Sequence, residues 1–136
     1  VLPIPFRFSM IDKSGEQLSL VVNGQQMGVE PMVVIRGENT RLKIQASEQT
    51  KSKDLYYSTP SLLRGFSAPI KLHDDLSIQE YLHLISYDTD PFVIWDVTQI
   101  LYNKVISEAY NGKQNLSLEL QLSKVLLKSI KSEKFR

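Results

Sequence analysis

The sequence contains no cysteine. Disulfides, thiolate metal sites and a cysteine nucleophile are therefore excluded. A cysteine-free chain fits a reducing compartment, and a cytoplasmic location is expected. No apolar run approaches the roughly 20 residues needed to cross a bilayer, and no charged-then-apolar leader opens the chain. A net charge of +1 offers no concentrated basic surface, so neither nucleic acid nor an anionic membrane is an expected partner. Neither H-E-x-x-H nor G-x-S-x-G occurs, and no Gly-rich phosphate loop is found among the six glycines. The first residue is Val1, not methionine, so the chain is expected to be cut from something longer.

What is present suits a soluble globular chain. Of 136 residues, 42% are hydrophobic and 23% charged, enough apolar material for a real core in one ordinary domain or two small ones. The basic run Lys124, Lys128, Lys131, Lys134 and Arg136 reads as a solvated helix face whose charge suits the negative end of a helix dipole.

The first half has strand periodicity. Phe6, Phe8 and Met10 alternate with Arg7 and Ser9, the period of a half-buried strand. Pro3 and Pro5 near its start suggest an edge strand. Leu18, Leu20 and Val22 alternate again, between an Asp12-Lys13-Ser14-Gly15 turn and the hairpin signal Asn23-Gly24. Met32-Val33-Val34-Ile35 reads as a strand buried on both faces, and Gly37 to Thr40 as a turn. Leu42, Ile44 and Ala46 form another strand, and the polar stretch from Ser47 to Asp54 an exposed loop. Leu62, Leu63 and Phe66, then Ile70 and Leu72, predict two closing strands punctuated by Pro60 and Pro69. Many short strands between turns indicate an antiparallel β-sandwich.

The pattern changes near Asp74-Asp75. Ser77 and Glu80 have the spacing of a capping box, predicting a helix to about Tyr87. Asp90 as N-cap with Pro91 at the first helical position starts a second helix, which Asn111-Gly112 ends. Phe92, Trp95, Gln99, Tyr102 and Ile106 recur along it at three- and four-residue spacing, the stripe expected to face a core. A third helix covers about Leu118 to Lys131, with Leu122, Val125, Leu126 and Ile130 inward. The expected organisation is thus β then α: a sandwich over 1–74 and about three helices over 75–136. Tyr102, Leu118, Leu120, Leu127 and Phe135 exceed what one small helical core needs, which implies a further partner surface.

Candidate chemistry is sparse. His73 and His83, and the acidic pairs Asp74/Asp75 and Asp88/Asp90, have no ligand-spaced partners and read as structural. Asp90 serves more simply as a cap. Ser67, in Gly65-Phe66-Ser67-Ala68, sits on a predicted strand without a nucleophile motif. Tyr56 and Tyr57 are expected to fold back onto the sandwich. No catalytic, cofactor-binding or metal residue is assigned.

One run is far more specific. Pro60-Ser61-Leu62-Leu63-Arg64-Gly65-Phe66-Ser67-Ala68-Pro69-Ile70-Lys71-Leu72 resembles the P-S-L-L-R-G-F-S-A-P-V-x-L segment of the bacterial alanyl aminopeptidases (aminopeptidase N). Gly37-Glu38-Asn39-Thr40-Arg41-Leu42-Lys43-Ile44 is similar to that family's E-Q-T-x-x-x-x strand entry, and Ile4-Pro5-Phe6 with Asp12 to Gly15 to its first strand and turn. Asp88-Thr89-Asp90-Pro91-Phe92 and Trp95 to Gln99 resemble its D-x-D-x-F-x-R-W-E/D-A-x-Q helix start. The departures are Ile94 in place of arginine, Val97-Thr98 in place of smaller residues, and a longer loop from Ser47 to Thr59.

The resemblance implies that the sandwich is immunoglobulin-like and that the helices open a C-terminal helical domain. It implies a four-domain zinc enzyme that removes N-terminal amino acids from peptides. The zinc motif and the G-x-M-E-N amine-binding segment would lie in an earlier domain, and neither occurs here. The segment itself would be an inactive spacer between the catalytic domain and the helical cap. Its partners would be the remaining domains, with peptides as substrates of the whole, and the isolated piece would be open to self-association. Two competing readings are a stand-alone β-sandwich interaction module with a helical tail, and a weak nucleic-acid binder using the C-terminal lysines.

Overall fold

Period-2 alternation becomes six short strands in the computed structural model, which describes residues 2–48, 52–113 and 115–131. They are β1 (Ile4–Ile11), β2 (Leu20–Val22), β3 (Gln25–Gly28), β4 (Met32–Ile35), β5 (Ile44–Ala46) and β6 (Thr59–Leu62). Two antiparallel three-stranded sheets result, ordered β4-β1-β6 and β3-β2-β5. A short helix α1 (Ser52–Tyr56) precedes β6, and a 3₁₀ turn over Arg64–Phe66 follows it. Three longer helices complete the β-then-α order: α2 (Ile78–Tyr87), α3 (Pro91–Tyr110) and α4 (Leu116–Lys131). Contacts divide the chain into two units, Val1–His73 and Asp74–Arg136.

In the first unit both sheets feed one core. Phe8, Leu18, Leu20, Val22 and Val33 are buried, with Phe6, Met10, Met27, Ile35 and Ile44 packed against them. Truncating the fully buried Leu20 to alanine would cost about 2–5 kcal/mol, because the cavity it leaves refills only partly. The Asp12 turn is held by its own carboxylate, whose Oδ1 accepts from the Ser14 and Glu16 backbone N–H groups and the Ser14 hydroxyl. Asn23 (φ 50°) and Gly24 (φ 81°) are both left-handed, the type I′ geometry that suits the twist of a two-residue hairpin.

Four expectations are corrected. β1 is the middle strand of its sheet, not an edge. Pro5 is accommodated because the first half of β1 pairs only with β4, from Ile4↔Ile35 to Arg7↔Met32, while the second half pairs with β6. β4 is not buried on both faces: Met32 and Val34 are about half exposed, since an outer strand has one wet face. Ile70 and Leu72 form no strand, because the chain has already turned through left-handed conformations at Leu63, Gly65 and Phe66. The loop from Ser47 to Asp54 runs into α1. β3 is a polar strand, Gln25–Gly28, carried at a sheet edge by the hairpin turn.

The second unit is built on its caps. The Ser77 hydroxyl accepts from the Glu80 N–H, and the Glu80 carboxylate accepts from the Ser77 N–H. Asp90 Oδ2 accepts from the Val93 N–H at 3.0 Å, with Pro91 at the first turn. Asn115 Oδ1 caps α4 through the Leu118 N–H. Leu82, Leu84 and Ile85 of α2, Val93, Ile94, Val97 and Leu101 of α3, and Leu118 and Leu122 of α4 are buried.

The predicted core stripe of α3 is therefore the wrong face. Trp95 is 59% exposed, Tyr102 43% and Ile106 63%. α3 is apolar on both sides, and α2 and α4 take the Val93–Leu101 side. Ile94, which the sequence reading set against an arginine, is part of that core. On α4, Val125 and Leu126 are half-buried, while the side chain of Ile130, and Phe135, lie outside the described residues. Of the apolar excess on the helices, Leu118 is buried and Leu120 and Leu127 are exposed.

Candidate functional site

The run Pro60–Leu72 makes a knot at the end of β6. Ser61 leaves the strand fully buried, and Leu63 turns left-handed (φ 58°) with its side chain in the core. Gly65 (φ 63°) and Phe66 (φ 50°) continue a conformation that costs an ordinary residue about 1–2 kcal/mol. This path brings the Arg64 guanidinium inside, only 4% exposed. Its Nε donates to Glu30 Oε1 at 3.1 Å and its Nη1 to Ser61 Oγ at 3.0 Å. The Ser67 hydroxyl accepts from the Arg7 N–H at 3.1 Å, tying the knot to β1. Ser67 stands in the turn after the 3₁₀ segment, not on a strand. The Ser67 hydroxyl thus holds backbone and the Arg64 guanidinium holds the Glu30 and Ser61 side chains, and neither serine has a base among these partners in the arrangement of a nucleophile.

A second cluster gathers around Tyr81. Its phenol donates to Asp74 Oδ1, which also accepts from the Leu76 N–H at 3.2 Å. Burial, then the hydrogen bond and charge of Asp74, push the Tyr81 hydroxyl well above the usual phenol range. Asp96 on α3 is pushed upward too, by burial first and the Asp74 charge second. Sequence reasoning missed Asp96, because its neighbour Asp74 is brought close only by the fold.

The remaining candidates are dispersed. His73 falls at the end of the first unit and His83 in the second, the latter with its ring 4.8 Å from Tyr87. Asp88 is fully buried, its Oδ1 accepting from the Thr89 and Asp90 N–H groups at 2.7 and 3.0 Å. Asp75 is exposed. Among the described residues no three His, Cys, Asp or Glu side chains converge as metal ligands. Nor, among those residues, is any helix long and apolar enough to cross a membrane.

Tyr56 and Tyr57 do not fold back. They are 81% and 51% exposed and meet edge to face at 4.9 Å. The Lys13 ammonium lies 4.4 Å from the Tyr57 ring centre. A surface cleft of about 300 Å³ beside them is lined by Asp12, Lys13, Ser14, Asp54 and Tyr57. Tyr56 closes the short helix α1 and Tyr57 stands in the turn after it, an arrangement the sequence pattern did not reveal.

No family model matches the chain. It is 32% identical over 127 residues to an aminopeptidase N of Escherichia coli, covering 90% of this chain and 13% of that protein. An aminopeptidase N of Haemophilus influenzae is 27% identical over 103 residues, covering 74% of this chain and 11% of its own. Among solved structures, a Legionella pneumophila aminopeptidase A, crystallised with aspartic acid, matches 98% of the chain with a TM-score of 0.71. It is 24% identical, and this chain covers 14% of it. The last match speaks to fold alone, and the chain spans only a small share of each relative's length. Together with the knot at Arg64, the two sequence matches place this chain as a segment of an aminopeptidase N-like protein.

Proposed function

We propose that this chain is a non-catalytic structural segment of a zinc aminopeptidase that removes N-terminal amino acids from peptides. In this reading the β unit is an immunoglobulin-like spacer and the helical unit begins a helical cap. The remaining domains of the parent chain are its partners, peptides the parent's substrates, and the cytoplasm its location.

The observation that carries the proposal is how the most specific stretch of sequence is spent. Ser61, Leu63, Arg64 and Ala68 are all buried, and the hydrogen bonds of Arg64 and Ser67 run to other parts of the same unit. The segment holds a strand end and a turn in place. Among the described residues no set of side chains fits a zinc site, so no catalytic step is derived through a metal here. The zinc belongs, on this proposal, to another domain.

The test is an assay of the 136-residue protein with equimolar zinc and a chromogenic alanine anilide, with zinc content measured after dialysis. No turnover and no retained zinc is the expected result. Turnover abolished by a chelator, or one zinc held per chain, would refute the proposal and direct attention to His73, His83 and the neighbouring acids.

A further inference from the structure

Two Asn-Gly pairs occur in the chain, Asn23-Gly24 and Asn111-Gly112, and both make turns. Such a pair is chemically labile. The backbone nitrogen that follows an asparagine can attack the side-chain carbonyl carbon, and glycine has no Cβ to hinder the approach. Neither glycine is crowded in this fold: a Cβ added to Gly24 or Gly112 would meet nothing within 4 Å. What separates the two sites is how firmly each asparagine is held.

Asn23 is tied down twice. Its side-chain Oδ1 accepts from the Lys43 N–H at 2.9 Å, and its own N–H donates to the Lys43 carbonyl at 2.9 Å. The β2–β3 ladder clamps the turn from both sides, with Val22 opposite Gln25. To bring Cγ to the Gly24 nitrogen, the side chain must leave Lys43 and the hairpin must open. Asn111 is the exposed C-cap of α3 (φ −85°, ψ 10°), and among the described residues none bonds its side-chain amide. Its turn is a Schellman end, in which the Gly112 N–H donates to Ala109 O at 3.1 Å and the Lys113 N–H to Glu108 O at 2.7 Å. Rotation about the Asn111 Cα–C bond breaks these two bonds at a helix terminus, where local opening is least costly.

We propose that Asn111 is a site of spontaneous self-modification, converted through a succinimide formed with Gly112, while the hairpin protects Asn23. The Gly112 nitrogen gives up its proton and bonds to Asn111 Cγ. The Cγ–Nδ2 bond breaks, and the nitrogen leaves as ammonia. Water then opens the ring. Attack at Cγ gives aspartate, and attack at the main-chain carbonyl carbon gives isoaspartate, with the chain rerouted through Cγ. One water enters for each ammonia lost, and no oxidant or cofactor is needed. The product carries a new carboxylate at the C-terminal end of α3, where the helix dipole disfavours it. The 16 basic groups then face 16 acidic ones instead of 15, and the formal net charge of +1 is cancelled. The isoaspartate form also lengthens the main chain between α3 and α4, whose Leu118 and Leu122 are buried. The inference goes beyond the peptidase reading and does not depend on it.

The test follows each asparagine by tryptic peptide mapping and mass spectrometry, in protein kept in warm, mildly alkaline buffer. The peptide Val105–Lys113 reports Asn111, and Ser14–Arg36 reports Asn23. In the folded protein Asn111 should convert at least about tenfold faster than Asn23, because the tethered turn opens more rarely. In concentrated urea both are Asn-Gly pairs of an unfolded chain, and their rates should become comparable. Asn111→Ser should remove the main acidic form that ion exchange resolves from the aged protein. Residue 111 is exposed, so circular dichroism of this variant should match the unmodified protein. Equal conversion of the two sites in the folded protein, faster loss at Asn23, a ratio that urea leaves unchanged, or an Asn111 that stays intact when folded would each overturn the proposal.

Discussion

Replacing Arg64 by alanine tests the reading of the Pro60–Leu72 knot. The guanidinium is buried, and it is held by Ser61, which has no exposure at all, and by Glu30, whose side chain is 40% exposed. Removing one member of a fully buried pair costs about 3–5 kcal/mol. Glu30 regains water when Arg64 leaves, so most of the charge penalty falls away. What remains is the lost hydrogen bond of a buried hydroxyl and the void left by the arginine stem, together about 2–3 kcal/mol. For a unit of this size each kcal/mol moves Tm by roughly 4–8 °C, so the first unit should melt at least about 8 °C lower. Glu30→Gln should cost under about 1 kcal/mol, because its oxygen can still accept and the site is half wet. Hydrogen exchange of the β1 and β6 amides, read by mass spectrometry, isolates the first unit from the helices. If Arg64→Ala and Glu30→Gln speed that exchange equally, or neither does, the knot is not what holds β6 in place.

Two carboxylates should respond to pH in opposite directions. Asp96 has a folded pKa raised above its unfolded value by burial and by Asp74, so its contribution favours the fold at acid pH and is lost as pH rises through the folded pKa. Asp96→Asn should therefore stabilise the helical unit at pH 7 by less than about 1 kcal/mol, the group being partly solvated, with the gain vanishing near pH 3; urea titration of Trp95 fluorescence measures it. Asp12 is the reverse: burial pulls its pKa upward, but the Ser14 hydroxyl and the turn's N–H groups outweigh that and hold it low. Its contribution is present above the unfolded pKa and lost as pH falls through the folded one. Asp12→Ala should cost the first unit about 1 kcal/mol at pH 7 through the lost turn hydrogen bonds, and should flatten its acid sensitivity in exchange experiments.

Local chemistry was the legible part of this sequence. The Ser77/Glu80 box, the Asp90-Pro91 start, the Asn111-Gly112 stop and the Asn23-Gly24 hairpin all depend on residues within a few positions of one another. Faces and partners were not legible. Both stripes of α3 have helical spacing, and only the positions of α2 and α4 decide which is core. Four consecutive apolar residues in β4 suggested burial on both faces, while the sheet order leaves that strand at an edge. Left-handed Leu63 and Phe66 carry no local signature, so the closing strand through Ile70 was predicted where the chain instead turns. Arg64 was noticed for its resemblance, but its burial follows from that turn and from Glu30 thirty-four residues away.

The divided pairing of β1 also bears on how the chain reaches its fold. One half of this strand waits for β4 and the other for β6, and the Arg7–Ser67 hydrogen bond closes a span of sixty residues. Contacts of such range make the chain order itself before any contact rewards it, which slows folding. The helical unit is assembled from neighbours joined by short turns, the kind of contact that forms in microseconds to milliseconds. During synthesis the second half of β1 should therefore lack its β6 partner until β6 has emerged, held meanwhile by its bonds to Leu18 and Pro31. A pulse-labelling experiment would find those β1 amides that bond to β6 protected later than those of α2 and α3, while the Phe8 amide, which donates to Pro31 O, need not wait for β6.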